Sequence, residues 1–223
     1  MAGLQAKVGR TELTTEDGTT FIHSYHGSGT YAKVMGEIDA AGLVRPTFGD
    51  TVVLVHSAWQ NPKEKFSKEI IQLMKSDWLV ADTAILYVPN EGAYVQDHPQ
   101  TNENGWPVMD KMDLAEKLEA GDKAVRFAEL DYQTSKMSVE ALAKNKFIQA
   151  LCGSKETSQM IVELAQKYSD KPYLWAFDNV DSEITRVASL DSGCSDSRLL
   201  VDGYFHESDR YGYAFGKVAP DKK

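Results

Sequence analysis

The C-terminal end of the chain carries a wholly β-type pattern, and this feature limits the folds that are open to it. From Lys171 onward, four short apolar runs are separated by clusters of Asp, Ser and Gly, which favour turns. The runs are PYLWAFD, EITRVASL, RLLVDGY and GYAFGKV. We therefore predict that this part of the chain consists of short β-strands.

Helix and strand patterns are mixed in the preceding part of the chain. Apolar residues at helical spacing predict a helix that begins after Thr30, its candidate N-cap, and ends before Pro46. Further helices are predicted at 66–74, around 110–120 and, in two pieces broken at Gly153, at 138–168. Strands are predicted at 19–25, 51–59 and 124–130, and two or three short ones within 78–96. This order indicates an α+β fold rather than a doubly wound parallel sheet.

The chain is expected to form one domain over residues 1–223. No internal repeat, low-complexity tract or flexible linker divides it. With 42% hydrophobic residues, it can bury a sizeable core without a metal or a disulfide framework. Cys152 and Cys194 are expected to be free thiols, and a single bridge between them is the alternative.

Charge and hydropathy narrow the classes of partner. The formal net charge of -9 opposes contact with phosphate backbones, so we expect no nucleic acid partner. No stretch approaches the roughly 18 apolar residues of a membrane span, and the first residues lack the apolar core of a signal peptide. We therefore expect no direct membrane insertion, and a location in the cytoplasm or in a virion.

The turn Gly27-Ser28-Gly29-Thr30 is the strongest candidate for an anion site. Amides of a Gly-rich turn at a helix start can bind an anion, but the Lys of a phosphate-binding loop and the third Gly of a dinucleotide motif are missing. We interpret the turn as a helix entry. The alternative function is a small hydrolase or transferase that uses this turn with His23 or His26, in a pocket near the N-terminal strands.

Other patterns of catalysis or metal binding are missing from the sequence. No GxSxG or HExxH motif occurs, and His56, His98 and His206 have no zinc-ligand partner at a suitable spacing. We therefore predict no catalytic residue, no cofactor and no metal. Trp106, in the polar loop NENGWP, is predicted to cap the core.

The stretch from Asp191 to Tyr213 has an unusual composition. Of its 23 residues, 16 are Asp, Ser, Gly, Tyr, His or Cys, while Lys, Gln, Met and Trp are missing. Rigid aromatic side chains among small polar residues are typical of binding loops. A turn-rich surface, in which Tyr side chains pack across strands, is the structural alternative.

The run RLLVDGYFHESDRYGYAFGKV, preceded by RVASLDSGCSDS, resembles the C-terminal end of the variable proteins of diversity-generating retroelements. In that family, an error-prone reverse transcriptase substitutes at template adenines, which yields Asp, His, Tyr, Ser, Gly and Cys among others, but not Lys, Gln, Glu, Met or Trp. ASLDSG stands where the better-known members carry a GGSW-like motif. The resemblance therefore points to a divergent archaeal or viral branch.

The resemblance implies a C-type lectin-like α+β fold of the formylglycine-generating-enzyme type, with residues 188–216 as a variable ligand-binding segment. Members bind without catalysis, as receptor-binding tips of viruses or as surface proteins of cells. The expected partner is a protein or glycan ligand at a cell or virion surface. Pro89-Asn90-Glu91 differs in order from the calcium triplet of sugar-binding lectins, so no calcium is expected.

The resemblance also assigns roles within this segment. The implied diversified positions are Ser192, Gly193, Cys194, Asp196, Ser197, Leu200, Tyr204, Phe205, His206, Ser208, Asp209, Tyr211 and Tyr213. The implied scaffold positions are Arg198, Gly203, Glu207, Arg210, Gly212, Ala214, Phe215 and Gly216. A scaffold that tolerates variation requires Val187, Leu190, Leu199 and Phe215 to pack inward while the diversified positions face water.

Overall fold

The computed structural model describes residues 5–7, 11–193 and 198–219 of the protein. These ranges contain seven α-helices and twelve β-strands. Three N-terminal strands, β1 (Gln5–Lys7), β2 (Glu12–Thr14) and β3 (Thr20–Ile22), form a small antiparallel sheet. The strand predicted at 19–25 is therefore shorter than expected.

The other strands form one nine-stranded sheet. They are β4 (His26–Gly29), β5 (Trp78–Val88), β6 (Gly92–Asp97), β7 (Val125–Glu129), β8 (Ser135–Lys136), β9 (Tyr173–Trp175), β10 (Ile184–Asp191), β11 (Leu200–Phe205) and β12 (Gly212–Ala214). Their order is β4-β12-β5-β10-β11-β9-β8, and β6 joins β5 to β7. The predicted C-terminal strands are thus confirmed, and β10 and β12 both pair with the long strand β5.

The helices are α1 (Tyr31–Ala40), α2 (Phe48–Gln60), α3 (Lys65–Ser76), α4 (Lys111–Glu119), α5 (Val139–Lys144), α6 (Lys146–Cys152) and α7 (Lys155–Ala165). The hydroxyl of Thr30 accepts the Lys33 N–H at 3.3 Å, so Thr30 is the N-cap of α1, as predicted. Gly153 ends α6 with a φ of 72°, which confirms the predicted break.

The segment TVVLVHSAW lies in helix α2, so its prediction as a buried strand is wrong. Thr47 and Asp50 form a capping box, in which each side chain accepts the backbone N–H of the other. Phe48, Val52 and Val55 follow a helical spacing and are fully buried. Burial of this stripe, together with the cap, outweighs the strand preference of valine.

Residues 78–88 form one long strand rather than two short ones. Asp82 does not interrupt β5, because it is buried with hydrogen-bonding partners. The hydroxyl of Tyr31 donates to one carboxylate oxygen at 2.5 Å, and His98 Nδ1 lies 2.8 Å from the other. The Arg45 guanidinium lies 3.6 Å away. The bond to Asp82 also raises the pKa of His98.

The helical stripe of 138–168 is divided into three helices rather than two. Asn145 ends α5, and its side-chain oxygen accepts the Ile148 N–H at 3.1 Å, which caps the start of α6. Tyr168 lies beyond the end of α7. A residue that can both stop one helix and start the next produces the additional break.

Two hydrophobic clusters lie on opposite faces of the large sheet. Leu190 and Val201 belong to the larger cluster, which includes residues of α2, α3, α6 and α7. Val80, Val187 and Phe205 belong to a second cluster beneath α1. The fold is α+β, as predicted. None of the helices in the described ranges has both the length and the apolar character needed to cross a membrane.

Candidate ligand-binding face

The segment 188–216 begins in β10 and continues through β11 and β12. The four residues predicted to pack inward are all buried: Val187, Leu190 and Leu199 are 0% exposed, and Phe215 is 2% exposed. This prediction is confirmed. The segment is therefore attached to the core at several separate points along its length.

The predicted ligand-binding residues differ in solvent exposure: some are exposed, some are partly buried and two are fully buried. Tyr204, His206, Ser208 and Tyr211 are exposed, and Gly193, Leu200, Asp209 and Tyr213 are partly buried. Ser192 and Phe205 are only 0% and 1% exposed, so the expectation that they face water is wrong. Cys194, Asp196 and Ser197 lie outside the described residues.

An irregular register places Phe205 on the face of the sheet opposite to that of Val201. Val187 pairs with Phe205 and Ser189 pairs with Asp202, so β11 has one more residue than β10 between these two pairs. Such a bulge changes the face of the sheet on which the following side chains lie. Phe205 therefore points into the cluster beneath α1, where its ring lies 5.8 Å from that of Trp78.

Ser192 is buried because it is bonded to the end of α3. Its backbone N–H donates to the carbonyl oxygen of Met74 at 2.6 Å, and its hydroxyl donates to the same oxygen at 2.9 Å. Two hydrogen bonds to one carbonyl fix the chain where it leaves β10. Ser192 therefore has a structural contact at this point rather than a free hydroxyl.

The exposed tyrosines rest on aromatic residues outside the segment. The ring of Tyr204 stacks on that of Phe177, with centroids 4.2 Å apart. Tyr211 is 62% exposed and lies edge-on to Trp78, with centroids 6.1 Å apart. Support by a neighbouring ring limits the rotamers of each tyrosine, which lowers the entropy that binding would cost.

A tight turn at residues 206–209 presents the polar part of the face. The carboxylate of Asp209 accepts the His206 N–H at 2.7 Å, and His206 Nδ1 accepts the Ser208 N–H at 3.1 Å. Trp106 lies next to this turn, 6.5 Å from His206 and 5.8 Å from the buried Tyr31. The prediction that Trp106 caps the core is confirmed, because it packs against the cluster beneath α1.

Two aspartates beneath this face have raised pKa values. Burial raises the pKa of Asp191 to about 7, even though its carboxylate accepts the Gly193 N–H at 2.7 Å. Burial also raises the pKa of Asp202 to about 7, while its carboxylate accepts the Tyr204 N–H at 2.6 Å. Within the described ranges, no three His, Cys, Asp or Glu side chains are grouped so as to hold a metal ion.

The predicted scaffold residues also differ in depth. Gly203, Gly212, Ala214, Phe215 and Gly216 are buried, Arg198 is partly buried, and Glu207 and Arg210 are exposed. The guanidinium of Arg198 pairs with the carboxylate of Asp170 at 3.0 Å. Burial agrees with a scaffold role for the glycines and for the Ala214–Gly216 closure.

Several residues of this face were not predicted from the sequence. Phe177 and Arg186 precede the segment but contact Tyr204. A pocket of about 300 Å³ lies next to Tyr211. It is lined by Met74, Lys75, Ser76, Asp77, Trp78, Asp191, Gly193 and Tyr211. Only the fold brings these residues together, since no spacing in the sequence relates them.

The Gly27–Thr30 turn is occupied by contacts within the protein. The Gly27 N–H donates to the carboxylate of Glu37 at 3.2 Å, and the Ser28 hydroxyl donates to the Arg210 carbonyl at 3.0 Å. The Glu37 carboxylate also pairs with the Lys33 ammonium at 3.6 Å, and Lys33 Nζ donates to the Ser28 carbonyl at 2.8 Å. A pocket of about 490 Å³ includes His23 and His26, and His23 Nε2 lies 2.6 Å from the Glu69 carboxylate.

Comparisons with known proteins identify the fold. No protein-family model matches the chain, and no curated protein matches it by sequence. Among solved structures, it is similar to one described as "Accommodation of massive sequence variation in Nanoarchaeota by the C-type lectin fold". The two share 15% identity over 86% of this chain and 95% of that one, with a TM-score of 0.59. The chain therefore has a C-type lectin fold, as predicted.

Proposed function

We propose that the chain is a non-catalytic ligand-binding protein, the variable protein of a diversity-generating retroelement. Residues 188–216 would present a diversified face to a protein or glycan ligand at a cell or virion surface. One observation carries the proposal: Tyr204 and Tyr211 are exposed, while Leu190, Leu199 and Phe215 of the same segment are buried. The exposed tyrosines are thus available to contact a ligand, while the buried residues attach the segment to the core.

The size and chemistry of the face agree with this function. A standard recognition patch buries about 800 Å² per partner, and a few residues, often Trp, Tyr or Arg, supply most of its binding energy. Tyr204, Tyr211 and the turn at 206–209 supply aromatic area and hydrogen-bonding groups. The solved structure with the same fold is described as accommodating massive sequence variation, which supports tolerance of substitutions here.

The enzymatic alternative has less support. The carboxylate of Glu37 already accepts the Gly27 N–H, so an anionic substrate would have to displace it. The Lys33 ammonium at the turn is likewise paired with Glu37 and bonded to the Ser28 carbonyl, so an anion would also have to compete for that charge. In the proposed function, the protein meets a surface ligand as part of a virion, and no catalytic residue is required.

The first test of diversification is a DNA sequence. We expect an imperfect copy of the codons for residues 188–216 downstream of the gene, beside a gene for a reverse transcriptase. The copy should differ from the gene only where the copy has adenine. If no such copy exists, the segment is an ordinary turn-rich surface and the retroelement origin is rejected.

A second test measures binding capacity without the natural ligand. One library randomises Tyr204, His206, Ser208, Asp209 and Tyr211, and a matched library randomises five exposed positions of α4. The α4 positions are Met112, Asp113, Glu116, Leu118 and Glu119. Selection of displayed proteins against lysozyme should yield folded binders from the first library and far fewer from the second. Equal yields would argue against a specialised face.

A further inference from the structure

Arg186 lies at the centre of an aromatic cluster on the proposed face. It is in β10 and is partly exposed. Its guanidinium carbon lies 5.3 Å from the ring centroid of Phe177 and 5.8 Å from that of Tyr204. These distances are typical of a cation above an aromatic ring. The positive charge is therefore held in place next to an exposed tyrosine.

The guanidinium of Arg186 has few polar partners. Its Nη1 donates to the Thr185 carbonyl at 2.9 Å, whereas its buried Nε has no hydrogen-bond acceptor among the described residues. No carboxylate of the described chain lies within ion-pair distance of it. Three other arginines do have such partners: Arg45 pairs with Asp39, Arg126 with Asp97 and Arg198 with Asp170.

Holding the Arg186 charge in this partly buried position costs free energy that no ion pair offsets. Burial lowers the pKa of Arg186, while Tyr204, Tyr87 and Asp209 nearby act in the opposite direction. A partly desolvated charge without an ion-pair partner is unfavourable, and an anion placed against it removes part of that cost. A ligand that carries an anionic group would therefore gain more at Arg186 than at an exposed arginine.

The surroundings favour one kind of anion. The net charge of -9 repels polyanions, so a single carboxylate is better accommodated than a phosphate-rich ligand. The part of the Tyr204 ring that Phe177 leaves exposed can contact carbon–hydrogen groups. The carboxylate of Asp209, whose charge acts on Arg186, can accept hydrogen bonds from hydroxyl groups. An acidic peptide brings carboxylates but few hydroxyl donors. A carboxylated sugar can place its carboxylate against Arg186, its carbon–hydrogen groups against Tyr204 and its hydroxyls against Asp209.

We infer that Arg186, Tyr204 and Asp209 form a subsite for the carboxylate and neighbouring hydroxyls of an acidic sugar. The inference rests on the proposed function, because the subsite is part of the same face. Arg186 and Phe177 precede the segment 188–216, so they would remain constant while the segment varies. Every variant of the face would then keep one fixed contact for carboxylated ligands.

The inference is tested with N-acetylneuraminic acid and its methyl ester, titrated into the full-length protein and followed by NMR. The Arg186 side-chain signals should shift with the free acid. The ester should bind about tenfold or more weakly, because a charged hydrogen bond is lost. Equal affinity for acid and ester, or no shift with the acid, would overturn the inference. This comparison needs no variant and so does not depend on folding.

Variants then locate the contact. Arg186→Gln should abolish the preference for the acid, and Arg186→Lys should retain only part of it. Arg126→Gln, outside the segment 188–216, is the matched control and should leave the affinity of the folded protein unchanged, because that guanidinium already pairs with Asp97. Asp209→Asn should weaken binding of the acid and of the ester alike, because a neutral amide oxygen replaces the carboxylate that accepts the sugar hydroxyls. Unchanged acid binding in the folded Arg186→Gln variant would contradict the role of Arg186 in binding the carboxylate.

Two further comparisons show whether a negative result rejects the acidic-sugar subsite or the proposed function. A Glu-rich peptide that binds more tightly than the sugar would overturn the choice of an acidic sugar. The library selection described above does not depend on Arg186. Binders from that library without acid binding would therefore reject only the subsite. Arg186-dependent acid binding from a face that yields no binders would instead reject the proposed function.

Discussion

The hydroxyl of Tyr87 donates a hydrogen bond of 2.9 Å to the carbonyl oxygen of Gly203. A Cβ atom at Gly203 would lie 2.6 Å from that hydroxyl and 2.8 Å from the ring of Phe147. Both rings are buried in the core and cannot move aside easily. The absence of a side chain at Gly203 therefore lets β11 approach this aromatic pair.

Gly203→Ala should destabilise the protein by about 1–3 kcal/mol, the usual cost of overpacking a core. Denaturant unfolding measures this change. The matched control is Gly36→Ala in α1, where an added Cβ meets no atom within 4 Å. That change should stabilise the protein by about 0.5–1 kcal/mol, because glycine disfavours helices. The same sign for both substitutions would contradict the packing argument.

Neighbouring positions on β11 should respond in opposite ways. Tyr204→Ala should weaken ligand binding and leave the unfolding midpoint nearly unchanged, because Tyr204 is 44% exposed. Phe205→Ala should cost about 3–5 kcal/mol of stability, because it leaves a cavity in the cluster beneath α1. Tyr211→Ala should behave like Tyr204→Ala. Loss of the folded state in both tyrosine variants would refute their exposure.

The sequence predicts some helices well and others poorly for a physical reason. The stripe from Tyr31 to Ile38 has a capping threonine before it, and local and long-range preferences agree there. In α2, the Val-rich run 51–59 favours a strand locally, whereas packing against the sheet favours a helix. The capping box of Thr47 and Asp50 was the local signal for the helix.

Composition locates the candidate face but not the depth of each residue. The alternation of a regular strand places successive side chains on opposite faces. Alternation from Val201 predicts that Phe205 is buried, but the bulge between the pairs of Val187 and Ser189 places it in the cluster beneath α1 on the opposite face. Nothing in the sequence marks that bulge. The contact of Arg186 with Tyr204 also depends on the fold, because it joins two strands.

The raised pKa of Asp202 predicts a pH dependence of stability. Its ordinary value is 3.8, and the folded value is about 7. Between these values the folded state holds a proton that the unfolded state has lost. The contribution to stability is therefore full below about pH 4 and is lost as the pH rises through about 7. Asp202→Asn should remove this dependence of the free energy of unfolding on pH. Denaturant unfolding at several pH values measures it.

Asp191→Asn tests the same principle at a second position. Its carboxyl also has a pKa of about 7, and asparagine can still accept the Gly193 N–H. The variant should gain stability relative to the wild type as the pH rises from 5 to 8. Curves that run parallel to the wild type for both asparagine variants would show that neither carboxyl is perturbed.

The buried pair of Tyr31 and Asp82 predicts a cost for removing one hydroxyl. Tyr31→Phe would take away the donor at 2.5 Å and leave the buried carboxylate with His98 and Arg45. We expect a loss of about 1–3 kcal/mol, because a buried acceptor loses a partner. The matched control is Tyr132→Phe, whose buried hydroxyl has no hydrogen-bond partner among the described residues. That change should be neutral or slightly stabilising, since it removes an unsatisfied polar group. Equal losses in the two variants, measured by denaturant unfolding at pH 7, would mean that ring packing rather than the bond to Asp82 determines the cost.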